Sequence, residues 1–158
     1  MKIREVKYER LFSFNYENEK IGFAAEVEDD SPEEVLGRLI RKAIEVEEAL
    51  EIFRRIKGEY NFARMRYKEV RSRYNSYIRR EEELKKMIEE LRGKGEEKKA
   101  LCMALELDDI RKSIEKAKKE IDEASKNLHE KETDYHDALL LIKTGNFDIV
   151  IQRWGEKY

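Results

Sequence analysis

Residues 49–91 read ALEIFRRIKGEYNFARMRYKEVRSRYNSYIRREEELKKMIEEL. Taken alternately every fourth and third residue, they give Ala49, Phe53, Ile56, Tyr60, Ala63, Tyr67, Val70, Tyr74, Tyr77, Glu81, Leu84, Ile88 and Leu91. All but Glu81 are apolar or aromatic, and the spacing never slips. This heptad seam predicts a long helix packed along a partner helix. The same spacing returns at Ala100, Met103, Leu107, Ile110, Ile114, Ala117, Ile121, Ala124, Leu128, Lys131, Tyr135, Ala138 and Ile142. Between the two seams lies Arg92-Gly93-Lys94-Gly95, a turn composition. The chain therefore predicts its own partner: an antiparallel helical hairpin with its tip at 92–95.

Working outward from the hairpin, Ser31-Pro32-Glu33-Glu34 reads as a helix start. Ser31 can cap, Pro32 suits the first helical position, and Glu34 completes a capping box. From Val35 to Phe53 the apolar face is wide, and it is wide again from Tyr135 to Ile142. A wide face needs more than one partner. The expectation is a small α+β head (1–53 with 132–158) and a coiled-coil arm (54–131), the 43-residue seam implying a length of roughly 65 Å at 1.5 Å per residue.

Residues 1–30 read as a β-hairpin. Val6, Tyr8, Phe12 and Phe14 share one face of the first strand. Ile21, Phe23, Ala25 and Val27 share one face of the second. A lone two-stranded ribbon is marginal in water, so homo-oligomerisation through this head is expected. After Gly145, the residues Phe147, Val150, Ile151 and Trp154 fit a short helix, with alternation at Phe147, Ile149 and Ile151 leaving a strand as the rival. The fold class is thus mostly α: a β-hairpin, a long antiparallel helical hairpin and a short C-terminal helix.

The opening Tyr8-Glu9-Arg10-Leu11-Phe12, followed by Asn15-Tyr16-Glu17-Asn18-Glu19-Lys20-Ile21-Gly22, resembles the start of small uncharacterised phage and archaeal proteins. Those carry a similar aromatic strand, an N-Y-E-N turn and an I-G second strand. The likeness covers roughly residues 6–50 and implies no activity. The arm is similar in shape to helical hairpins that reach into RNA polymerase or bind tRNA.

Charged residues make up 44% of the 158 residues and net charge is −2, so the whole chain is no polycation. The single cysteine, Cys102, rules out an internal disulfide framework. No apolar run is long enough to span a membrane, and no leader is apparent, so a cytoplasmic protein is expected. Abundant Lys, Glu and Arg beside a single glutamine, Gln152, point to a thermophilic source.

Candidate sites are few. Residues 54–80 hold ten Lys/Arg against two acids, with Tyr60, Tyr67, Tyr74 and Tyr77 interleaved. One reading is an arm that tracks phosphates. The other is that the tyrosines fill the seam and the arginines face the acidic second helix, where residues 103–137 carry eleven acids against seven Lys/Arg. With the tip at 93–95, Arg66 should meet Glu120, Arg80 should meet Glu106, and Lys57 should meet Glu132. That register leaves Arg64, Arg71, Arg111 and Lys118 in an unpaired row, with Lys68 beside it, as the candidate nucleic-acid-binding residues. Arg92 and Lys94 at the tip are a candidate contact point. His129, Glu132 and His136 share a helical face, but the histidines are two turns apart, so no metal is expected. Cys102 is expected to pack beside the seam. Lys131 and Glu81 interrupt the seams, the usual place for a residue that sets register. No nucleophile–base pair stands out, so no enzyme and no cofactor are expected. The leading function is a non-enzymatic interaction or scaffold protein with an unknown protein partner. The alternative is a nucleic-acid-binding protein.

Overall fold

A computed structural model describes residues 5–14, 17–26 and 31–158, with side chains for 5–9, 24–26 and 31–158. The element order is β1 (Glu5–Phe14), β2 (Glu17–Glu26), α1 (Pro32–Gly93), α2 (Glu97–Lys143) and α3 (Phe147–Trp154). β1 and β2 pair antiparallel, with Val6 opposite Ala25 and Tyr8 opposite Phe23. Val6, Tyr8 and Ala25 are half-buried, while Glu5, Lys7, Glu9, Ala24 and Glu26 are exposed. That alternation is the period-two pattern of a ribbon with one covered face. Asn15, Tyr16, Val27 and Glu28 lie outside the described residues.

The start of α1 follows from its first four residues. The Ser31 hydroxyl accepts from the Glu34 N–H (3.2 Å), and the Glu34 carboxylate accepts from the Ser31 N–H (3.1 Å). This reciprocal box satisfies two of the donors every helix start leaves open. Nothing then stops the helix for 62 residues. Gly58 lies inside it, and the heptads run through in phase.

Both helix–helix turns have the same construction. The Glu96 N–H donates to the Leu91 carbonyl (2.9 Å) and the Gly95 N–H to that of Arg92 (3.0 Å). The Asn146 N–H likewise donates to Leu141 (2.9 Å) and the Gly145 N–H to Ile142 (3.1 Å). These paired bonds form Schellman motifs. Each puts one residue in the left-handed region, and glycine occupies both places, with φ of 74° at Gly95 and 76° at Gly145. The glycine that turns the chain is therefore Gly95, while Gly93 remains helical.

The chain divides into two compact units: residues 1–58 with 134–158, and residues 59–133. In the first, α1 and α2 pack with α3 around Val46, Ala49, Leu50, Phe53, Ala138, Ile142, Phe147, Val150 and Trp154. Phe53 lies against Tyr135 with ring centroids 5.7 Å apart. The C-terminal segment is thus a helix and not a strand: its apolar residues at 147, 150, 151 and 154 form one stripe that closes this core. In the second unit, α1 and α2 pack through the seam, with Leu84, Ile88 and Leu107 at a cluster that also takes Met103, Ala104 and Ile110. Every residue of both seams is buried or half-buried. Each such Leu or Ile side chain taken from water stabilises by about 1.5–3 kcal/mol.

The flanking charges correct the expected register. Arg80 meets Glu106 as anticipated, its Nη2 at 2.7 Å and Nε at 3.0 Å from one carboxylate oxygen. Glu120, however, takes Arg73 (3.2 Å) and not Arg66, which pairs with Glu69 on its own helix (3.9 Å). Glu120 thus takes the arginine one heptad further along α1 than expected, while Arg80 keeps its expected partner. The residue with left-handed backbone at the turn is Gly95, the last of the expected 93–95 tip.

Candidate functional site

The ion pairs that form decide which cations are left free. Arg111, expected to stand unpaired, reaches Glu81 (3.3 Å). Lys118, also expected to stand unpaired, pairs with Glu115 on its own helix (3.3 Å). Two members of the anticipated basic row are therefore neutralised and leave the candidate site.

Arg64, Lys68 and Arg71 are exposed and make no ion pair among the described residues. They share the outer face of α1 with Arg79, which is exposed and unpaired in the same way. Lys68, Arg71 and Arg79, with Ser72, Asn75 and Ser76, line a shallow groove of about 260 Å³. At 100° per residue, Arg64, Lys68, Arg71, Asn75 and Arg79 fall within about 60° of one line along the helix. Arg79 belongs to the basic stretch seen in the sequence, but a heptad frame does not place it beside Arg64. The 3.6-residue period of α1 alone would have done so.

Tyr60, Tyr67, Tyr74 and Tyr77 are half-buried in the seam and do not share this face. The only acid between residues 60 and 80, Glu69, lies about 100° round the helix from Lys68. It is engaged by Arg73 (3.1 Å) and Arg66 (3.9 Å). Just beyond the row, Glu81 sits at the seam edge with its side chain 18% exposed. A hydrogen bond from Lys85 (2.9 Å) and a second from Arg111 hold its carboxyl below the ordinary value of 4.5. Arg80 is held in its charged form chiefly by its hydrogen bond to Glu106 and then by that to Glu83.

At the tip, Arg92 and Lys94 are exposed, and Lys99 pairs with Glu96 (2.7 Å). Gly95, Glu96, Glu97, Lys98 and Lys99 border a recess of about 410 Å³. Its lining holds two acids and two bases, so it carries no net charge of one sign. Cys102 is exposed and not packed. It precedes the seam residue Met103 by one position, which turns it about 100° away from the seam. His136 lies edge-on to Tyr135, with centroids 5.3 Å apart, and His129 is exposed. Among the described residues, no three His, Cys, Asp or Glu side chains come together as a metal site. Lys131, half-buried in the second seam, forms an ion pair with Glu59.

The first unit holds a different feature. Val35, Leu39, Ala43 and Val46 are buried, yet Leu36, Ile40 and Ile44 beside them are 39%, 40% and 57% exposed. Ile44 opens into a groove of about 490 Å³ with Glu47, Glu48, Glu51, Ile52 and Arg55. Arg54 and Arg55 both bond Glu51, and Arg55 also donates to the Tyr158 carbonyl.

No helix among the described residues is long and apolar enough to cross a membrane. Comparison with protein-family models, curated proteins and solved structures finds no match.

Proposed function

We propose that this is a non-enzymatic interaction protein that self-associates through the start of α1. The observation that carries this reading is the row Leu36, Ile40 and Ile44. With the buried residues beside it, the row makes α1 apolar over about half its circumference there. An apolar face that wide is normally covered by more than one neighbour.

The flanks of the row favour a second copy as its cover. Gly37 lies next to it with open space where a side chain would stand, so another helix can approach closely. Arg41 and Glu48 run along the same edge, both exposed and without an ion pair among the described residues. A second α1 laid antiparallel and centred near Ile44 sets Arg41 of each copy against Glu48 of the other. Such self-complementarity is what a two-fold interface requires.

Light scattering on the purified protein should give a dimer. Ile40→Gln with Ile44→Gln should weaken association at least tenfold at unchanged helical circular dichroism. Arg41→Glu should weaken it too, and Arg41→Glu with Glu48→Arg should restore it. A wild-type monomer at high concentration overturns the proposal, and so does a dimer indifferent to all four changes.

A further inference from the structure

We infer that the outer face of α1 in the second unit is a docking track for duplex nucleic acid, held through phosphates and blind to base sequence. Arg64, Lys68, Arg71 and Arg79 are all exposed, all without an ion pair among the described residues, and all on one line. Asn75 fills the one turn of that line without a cation. Steps of three or four residues space these positions about 4.5–6 Å apart over about 22 Å.

Like charges set at i, i+3 and i, i+4 repel on an isolated helix. The other arginines of this stretch avoid that cost by taking acids: Arg66 and Arg73 take Glu69, Arg73 also takes Glu120, and Arg80 takes Glu106 and Glu83. The four on the outer face have no such acid. Their face is turned about 110° from the seam, and none of the four takes an acid of α2 among the described residues.

The neighbouring side chains suit phosphate more than an acidic protein surface. Ser72, Asn75 and Ser76 add neutral donors in the same groove, the mixture of Arg, Lys, Ser and Asn that contacts nucleic-acid backbones. A duplex presents one negative charge per about 1.7 Å of axis, so a straight cationic row finds phosphates in any sequence. Single strands are bound chiefly by stacking bases on exposed aromatics. Here the four tyrosines of the stretch are in the seam, and Phe62 is about 120° round the helix from Lys68.

The test is fluorescence anisotropy with a labelled mixed-sequence DNA duplex, its single strand, and labelled poly-glutamate. The duplex should bind at 50 mM salt, with affinity falling about 150-fold by 200 mM, the dependence for four phosphate contacts. Changing Arg64, Lys68, Arg71 and Arg79 together to Gln should weaken binding at least tenfold and flatten the salt slope. Changing the three arginines to Lys should retain binding, which separates loss of charge from loss of fold. Arg111→Gln with Lys118→Gln, cations already held by acids, should leave binding within twofold. No duplex binding at 50 mM salt overturns the inference. Equal binding of the Gln variant, tighter binding of the single strand, or equal retention of poly-glutamate each does the same.

Discussion

Single charged side chains at the edge of the hairpin seam show how position decides worth. Glu81 occupies a seam position and yet is held by two cations, Lys85 at 2.9 Å and Arg111 at 3.3 Å. Its folded carboxyl titrates below the ordinary 4.5 because the Lys85 hydrogen bond, and then that from Arg111, favours the anion. A depressed folded pKa means the contribution to stability is present above the ordinary carboxylate range and is lost as pH falls through the folded value. Glu81→Gln should therefore melt below wild type at pH 7, and the two curves should converge towards pH 3. Thermal melts at pH 7, 5 and 3 check this, and a constant gap at all three would contradict it. Arg66 illustrates the opposite case. Its 3.9 Å pair with Glu69 is exposed on both sides, the kind of pair worth about 0–1 kcal/mol.

At the scale of the element, the two turns reuse one device. Gly95 and Gly145 take positive φ, where a Cβ costs roughly 1–2 kcal/mol. Gly93 and Gly58 are helical with open space around them, where alanine gains about 1 kcal/mol. Four single alanine variants should therefore split two and two. Gly95→Ala and Gly145→Ala should lower the melting temperature, and Gly93→Ala and Gly58→Ala should raise it. The Gly93–Gly95 pair is the sharper half, since both stand at one tip and differ only in backbone conformation. At the other end of α1, Ser31→Ala removes half of the capping box and should cost about 1 kcal/mol.

For the molecule as a whole, the two units have separate apolar cores. The first is closed by Trp154, which is 2% exposed and packed with Val150 and Phe53. The second is a seam one side chain deep, with Leu84 at its best-covered point. Trp154→Ala should cost about 3–5 kcal/mol and Leu84→Ala about 2–5 kcal/mol. Hydrogen exchange should localise each loss. With Trp154 removed, amides of 46–56 and 138–154 should lose protection while those of 84–107 keep theirs, and Leu84→Ala should show the reverse. Uniform loss across the chain in both variants would show the two cores to be one cooperative unit.

The elements were legible in the sequence because each is specified by local spacing. The 4-3 repeat of residues 49–91 and 100–142 defines which face of each helix is covered, and every seam residue is buried or half-buried. Ser31 and Glu34 mark the start of α1, and the stripe at 147, 150, 151 and 154 marks α3. What tertiary structure alone decided is which charges meet. Facing residues follow from where the turn reverses the chain, and in a sequence with two glycines at 93 and 95 both are turn candidates. The folded hairpin gives Arg73 to Glu120 and Arg111 to Glu81, leaves Arg64, Lys68 and Arg71 without an ion pair among the described residues as expected, and adds Arg79 to them. Burial is set by a periodicity that repeats every few residues and tolerates a shift of one. An ion pair is set by side-chain reach of a few ångströms, and the same shift changes its partner.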